Sequence, residues 1–208
     1  MTQRDEILDC ACQLYLDEGP EGLKMRRLAD EVGVTPGALY RHYEGKDEVL
    51  LDLVGRAHET LLGYLTRALA GGSPAERMRL AEEAYLDFAL EEARLYKVFY
   101  ATPELIGIEE LPEETADRAR AVQQFWQDRV SECVDAGLLR DTDPCELGVT
   151  LWSHSHGLLS LFHRGLLGVD ESEFRELFLS SRLLALQGVA PEEAHERLEE
   201  VWRGVAVA

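Results

Sequence analysis

The sequence predicts an all-α protein, with a small N-terminal three-helix unit built around a helix-turn-helix and a larger helical bundle after it. Three observations predict it. Apolar residues recur at three- and four-residue intervals along nearly the whole chain. No stretch shows strict alternation bounded by hairpin turns. Helix openings (Thr35-Pro36, Ser73-Pro74, Asp143-Pro144) and closures (Gly19, Gly71-Gly72, Gly137) punctuate it. At 208 residues, 46% hydrophobic and 29% charged, the composition is that of a globular protein with a real core, not of a disordered or fibrous chain.

The first helix is expected over 5–18, where Ile7, Leu8, Ala11, Leu14 and Tyr15 share one face and Gly19-Pro20 ends it. Two short helices follow at 26–32 and 36–42, joined by Gly33-Val34-Thr35. The Thr35 hydroxyl can cap orphan amides, and Pro36 brings a preset φ to the first helical position. After Glu44-Gly45 a long amphipathic helix over 46–70 links two expected domains, 1–47 and 48–208. Ser73-Pro74-Ala75-Glu76 has capping-box spacing and opens a helix running to about 91. A shorter apolar piece at 95–101 stops before Thr102-Pro103, and the acidic 103–114 segment is expected as a solvated loop. Helices at 113–136, 144–167 and 171–187, then a charged amphipathic one at 191–203, complete the chain, with no internal repeat.

Asp+Glu 40 against Lys+Arg 21 gives a net charge of −19, which excludes a protein that coats nucleic acid or anionic membrane through global charge. Any DNA contact must therefore be local. No apolar run approaches the roughly 20 residues that span a bilayer, and the first residues lack an apolar export segment, so a cytoplasmic protein with no membrane partner is expected. Cys10, Cys12, Cys133 and Cys145 lack the paired spacing of a disulfide framework or zinc site, and a helix points Cys10 and Cys12 about 200° apart. They are expected as thiols in a reducing compartment.

The window 24–46 sets five basic residues (Lys24, Arg26, Arg27, Arg41, Lys46) against three acidic ones (Asp30, Glu31, Glu44) in a chain otherwise strongly negative. A helix-turn-helix can lay its second helix in the major groove while flanking groups hold phosphates. Pro36, Gly37 and Ala38 are small enough for close approach, and Ala38 suits a thymine methyl. Tyr40, Arg41 and His42 supply donors and a stacking face, and Lys46 opens the next helix, where amine and helix end can meet one phosphate. From these residues alone, a helix pair with a purely structural role stays open.

The order of residues 7–50 resembles the DNA-binding domain of the tetracycline-repressor (TetR) family over about a fifth of the chain. The resemblance is carried by Gly19, Leu28-Ala29, Gly33-Val34, Thr35-Pro36-Gly37-Ala38, Leu39-Tyr40, Tyr43 and Lys46. It implies that Tyr40 and Lys46 contact phosphate, that Arg26 and Pro36 to Ala38 face bases, and that Arg41 and His42 lie at the groove edge. Leu28, Ala29, Val34, Leu39 and Tyr43 would hold the unit together. Lys24-Met25 departs from the serine or threonine with which the family usually opens its second helix, so a cap and a phosphate-binding hydroxyl are missing, and Lys24 is expected to replace that contact with charge. The resemblance also implies a homodimer on double-stranded operator DNA, a small-molecule effector, and a divergent helical domain from residue 53 onward.

Within that domain Trp152-Ser153-His154-Ser155-His156-Gly157 resembles a Trp-x-x-x-His-Gly signature of one TetR subgroup. A metal site, an enzyme site and packing at a pocket or dimer seam compete for this face. His154 and His156 diverge, His156 and His163 are too far apart to chelate alone, and Ser153, Ser155 and Ser160 stand in no Gly-x-Ser-x-Gly elbow. Packing is favoured, so no metal, cofactor or catalytic residue is assigned. The aromatic set Tyr85, Phe88, Tyr96, Phe99, Phe125 and Trp126, with Trp152 and His156, is the expected lining for an apolar or amphipathic effector. Leu151, Leu158, Leu159, Phe162, Phe178 and Leu183 are the expected dimer seam. The alternative is a helical ligand- or partner-binding protein without sequence-specific DNA binding.

Overall fold

The structure, a computed structural model, describes residues 2–100 and 112–204. All regular structure among them is helical: α1 (Gln3–Glu18), α2 (Met25–Val32), α3 (Pro36–Leu39), α4 (Lys46–Thr66), α5 (Pro74–Glu91), α6 (Ala93–Phe99), α7 (Glu113–Asp135), α8 (Pro144–His163), α9 (Glu171–Val189) and α10 (His195–Trp202). Short 3₁₀ turns cover Arg67–Ala70 and Glu192–Ala194. The all-α architecture predicted from the sequence is the one observed.

The caps explain most boundaries. Thr2 starts α1 earlier than expected, through a reciprocal capping box with Asp5. The α2–α3 turn is closed by Gly33 in the left-handed region (φ 77°, ψ 29°), with Val34 N–H donating to the Ala29 carbonyl at 2.9 Å. Thr35 caps α3 by accepting from the Ala38 amide at 3.2 Å. Asp143 accepts from Cys145 N–H (2.7 Å) and Glu146 N–H (3.0 Å) at the start of α8, and Asp170 forms a capping box with Glu173 for α9.

Three expected elements come out differently. The helix expected over 36–42 is α-helical only to Leu39, because Arg41 N–H turns to the Ala38 carbonyl and His42 N–H to that of Leu39, tightening the end toward 3₁₀ geometry. The helix expected over 46–70 becomes 3₁₀ after Thr66. That expected over 144–167 stops at His163, since Gly165 takes φ 67°. The expected loop at 103–114 lies outside the described residues as far as 111, while Glu113 and Glu114 belong to the first turn of α7.

The chain divides into two compact units, residues 1–61 with 88–120, and residues 62–87 with 121–208. The first buries Ile7, Leu23, Leu28, Leu39, Leu50 and Leu53. The second centres on Met78, Val130, Leu138, Leu147, Leu151, Leu186 and Leu198. No helix of the described residues is long and apolar enough to cross a membrane.

Candidate nucleic-acid interface

Leu28, Ala29 and Leu39 are buried on the inner faces of α2 and α3, which turns the polar residues of the same helices outward. Lys24, Arg26, Thr35, Pro36, Gly37, Tyr40, Arg41 and His42 are exposed, while Ala38 and Lys46 are half-buried. An open groove of about 600 Å³ runs between α2, α3 and the start of α4, lined by Lys24, Arg26, Pro36, Tyr40 and Lys46 together with Glu21. Lys24 stands at the α2 N-cap and supplies no side-chain cap. Lys24, Arg26 and Arg41 have no ion-pair partner among the described residues, so their charge faces solvent.

A second layer fixes this face. Asp52 on α4 accepts both Arg4 Nε and Nη2 at 2.7 Å and the Tyr43 hydroxyl at 2.5 Å. Charge-assisted bonds of this kind are stronger than neutral ones, and here they tie α1 and α4 to the segment following α3. Burial, followed by the Asp52 bond, raises the Tyr43 hydroxyl well above its ordinary range, so it remains a donor. His42 Nε2 donates to Gln3 Oε1 at 3.0 Å. At the start of α4 Glu48 accepts from the Glu44 amide at 2.5 Å. Arg4, Asp52 and Gln3 escaped the sequence reading because their partners lie far along the chain, and Glu21 because nothing local marks it.

The aromatic residues expected around an effector fall into two clusters, one in each unit. In the first, Phe88 packs edge-on to Tyr96 and Phe99 (centroids 6.4 Å in both pairs), and Phe99 meets the buried His58 ring at 4.6 Å. In the second, Tyr85 stands edge-on to Trp126 at 6.1 Å, and Phe125 to Trp126 at 5.9 Å. Tyr85, Trp126, Trp152, Glu82 and Ser155 bound a gap with no room for a water molecule. Behind it lies a buried polar cluster that the sequence did not signal. Arg182 is fully buried; it pairs with Glu82 and donates to the Leu151 carbonyl (2.9 Å) and His154 Nδ1 (3.0 Å). An arginine only donates, so His154 accepts at Nδ1 and carries its proton on Nε2, facing Ser181 Oγ at 3.1 Å. Burial, then the Arg182 charge, lowers the His154 pKa, and burial lowers that of His156.

The residues expected at a dimer seam differ in their exposure within one chain. Leu151, Leu159 and Phe178 are buried within a single chain, and Leu158, Phe162 and Leu183 are only half-buried; Phe162 stacks on Phe174 at 4.0 Å. The large apolar residues most exposed on α8 and α9 are Val149, Trp152, Leu161, Leu177 and Leu184. No group of three or more His, Cys, Asp or Glu side chains among the described residues is placed to hold a metal ion.

Residues 7–53 match the family model for bacterial regulatory proteins of the tetR family, and residues 78–181 match that for the tetracyclin repressor-like C-terminal domain. The transcriptional activator FasR of Mycolicibacterium smegmatis is 28% identical over 47% of this chain, and the match spans 45% of its own length. The transcriptional repressor KstR2 of the same species is 27% identical over 67% of this chain and 68% of its own. Among solved structures, AibR in complex with isovaleryl coenzyme A and operator DNA superposes with a TM-score of 0.65 at 20% identity, over 78% of this chain and 86% of AibR, and so shares the fold. Two family models cover most of the chain between them, one on the helix-turn-helix and one on half the sequence. The chain belongs to the TetR family.

Proposed function

We propose that this chain is a transcriptional regulator, acting as a repressor, that binds a near-palindromic operator as a homodimer and is modulated by a small apolar or amphipathic effector. The observation that carries the reading is one open groove combining Lys24, Arg26, Tyr40 and Lys46 beside the exposed Pro36-Gly37 edge. Amines and a phenol suit phosphates, and a small-residue helix face suits base edges. Residues 1–47 would read DNA, and 48–208 would dimerise and sense. A twofold dimer presents two such faces to half-sites about 34–36 Å apart. Val149, Trp152, Leu177 and Leu184 are apolar and exposed, which supports a seam on α8 and α9.

Trp152, His156 and Gly157 support the Trp-His-Gly subgroup for the C-terminal domain. AibR, which shares this fold, was solved with an acyl coenzyme A and DNA. That supports an acyl-type, amphipathic effector here. A non-enzymatic, cytoplasmic protein follows from the same reading. The test is selection of bound duplexes from a random oligonucleotide pool by the purified chain at about 0.15 M salt. An enriched palindrome, lost in Tyr40→Ala with Lys46→Ala, supports the regulator. No enrichment, with or without cell extract, overturns it in favour of a ligand-binding protein that does not read DNA.

A further inference from the structure

We infer that Glu21 is an electrostatic gate on the DNA-facing groove: it competes with phosphate for the Lys46 amine and holds DNA affinity below what the groove's cations alone would give. The inference rests on the DNA-reading function proposed above. Glu21 sits in the turn between α1 and α2, where Gly22 N–H donates to the Gly19 carbonyl at 3.1 Å and the next residue, Leu23, is fully buried. The backbone beneath Glu21 is thereby anchored. Its side chain is 91% exposed, and its Oε1 lies 3.5 Å from Lys46 Nζ, across the groove that Lys24, Arg26 and Tyr40 also line. The carboxylate caps no helix and pairs with no other cation among the described residues. It adds negative charge to a groove whose other charged lining residues, Lys24, Arg26 and Lys46, are all basic.

An exposed pair at this distance is weak, so a phosphate can displace Glu21 from Lys46. The displaced carboxylate then stands within several ångströms of the phosphate. Two like charges about 6 Å apart in water cost roughly a threefold loss of affinity, or about tenfold for a dimer with two grooves. Each retained anion also offsets one neutralised phosphate, making the salt dependence shallower by up to about 0.9 per groove in log K against log salt.

The experiment measures binding of the wild type, Glu21→Gln and Lys46→Ala to the duplex enriched from the random pool and to an unrelated duplex of equal length, across about 0.05–0.3 M salt. Unfolding curves check that Glu21→Gln folds as the wild type does, as its exposure predicts. The expected result is that Glu21→Gln binds both duplexes about three- to tenfold tighter with a steeper salt slope, while Lys46→Ala binds both more weakly. Unchanged or weaker binding by Glu21→Gln, with Lys46→Ala still impaired, overturns the gate and leaves DNA reading intact. A wild type that binds neither duplex overturns DNA reading and the gate with it.

Discussion

Arg182 is the largest fully buried side chain of the described residues, and its removal is the most informative single perturbation of the C-terminal unit. The pair it forms with Glu82 is fully desolvated, with side chains 0% and 1% exposed. Arg182→Met would delete that pair and the bonds to the Leu151 carbonyl and His154, leaving Glu82 with the Ser155 hydroxyl at 3.4 Å. A buried charge stripped of its partner costs about 3–5 kcal/mol. For a chain of this size each kcal/mol moves the melting midpoint by about 2–4 °C, so a fall of roughly 6–20 °C is expected. Glu82→Leu should cost a similar amount by stranding the guanidinium. The double variant removes both charges and should recover most of the loss, because apolar residues of similar volume replace such pairs at little net cost. The assay is urea unfolding at fixed protein concentration, which avoids the ionic strength of guanidinium and holds any oligomer equilibrium constant. Single variants costing under about 1 kcal/mol, or a double-variant loss equal to the sum of the two, would refute a buried, coupled pair.

Four further outcomes are expected. Tyr43→Phe removes the 2.5 Å bond to Asp52 and should cost about 1.5–3 kcal/mol, read by urea unfolding; a neutral result would mean that Arg4 alone satisfies the carboxylate. His58, His154 and His156 have pKa values lowered by burial, so below pH about 6.5 the unfolded chain takes up protons that the folded chain refuses. Stability should therefore be lower at pH 5.5 than at pH 7.5, in a window above that of Glu18 and Glu132, whose carboxyls arginine bonds hold below 4.5; a flat profile would contradict the burial argument. Leu184→Glu, at a position 69% exposed, should convert a dimer to monomers in analytical ultracentrifugation while leaving helix content unchanged; a persisting dimer would place the seam elsewhere. Lys24→Ala should lower the salt slope of DNA binding by about 0.9 per protomer, and an unchanged affinity and slope would show that Lys24 does not substitute for the missing hydroxyl.

The helix-turn-helix was legible because its determinants are local. Thr35, Pro36 and Gly33 fix their caps and turn within a few residues of themselves, and the structure uses each as the spacing implies. The end of α3 was not legible, because apolar spacing does not separate a last α turn from the 3₁₀ bonds of Arg41 and His42. The same holds at Arg67–Ala70. On α8 and α9 apolar residues occur nearly all round, so periodicity signals burial without saying which side meets its own chain. Leu151 and Leu159 go inward while Val149 and Trp152 stay exposed on the same helix. The Arg182–Glu82 pair had no local signal at all: its partners are 100 residues apart, and a lone arginine in an amphipathic helix reads as surface.

The closed gap at Tyr85, Trp126 and Trp152 constrains how an effector would act in the proposed regulator. With no room for a water molecule, that gap admits a ligand only in a conformation that separates the rings, and a ligand shifts such an equilibrium only by its differential affinity for the two states. A tenfold shift needs about 1.4 kcal/mol of preference, within reach of burying one or two methylene groups. The walls also decide where the change would be felt. Trp152 and Ser155 belong to α8, and Glu82 on α5 is held by Arg182 of α9, which in turn bonds the Leu151 carbonyl and His154 of α8. A ligand that spreads this gap therefore loads the bonds joining α8 to α9, the two helices whose outer faces carry Val149, Trp152 and Leu184. Reading DNA with two grooves needs a fixed spacing between protomers, so a small displacement of those helices would act on operator affinity without any contact to the reading face.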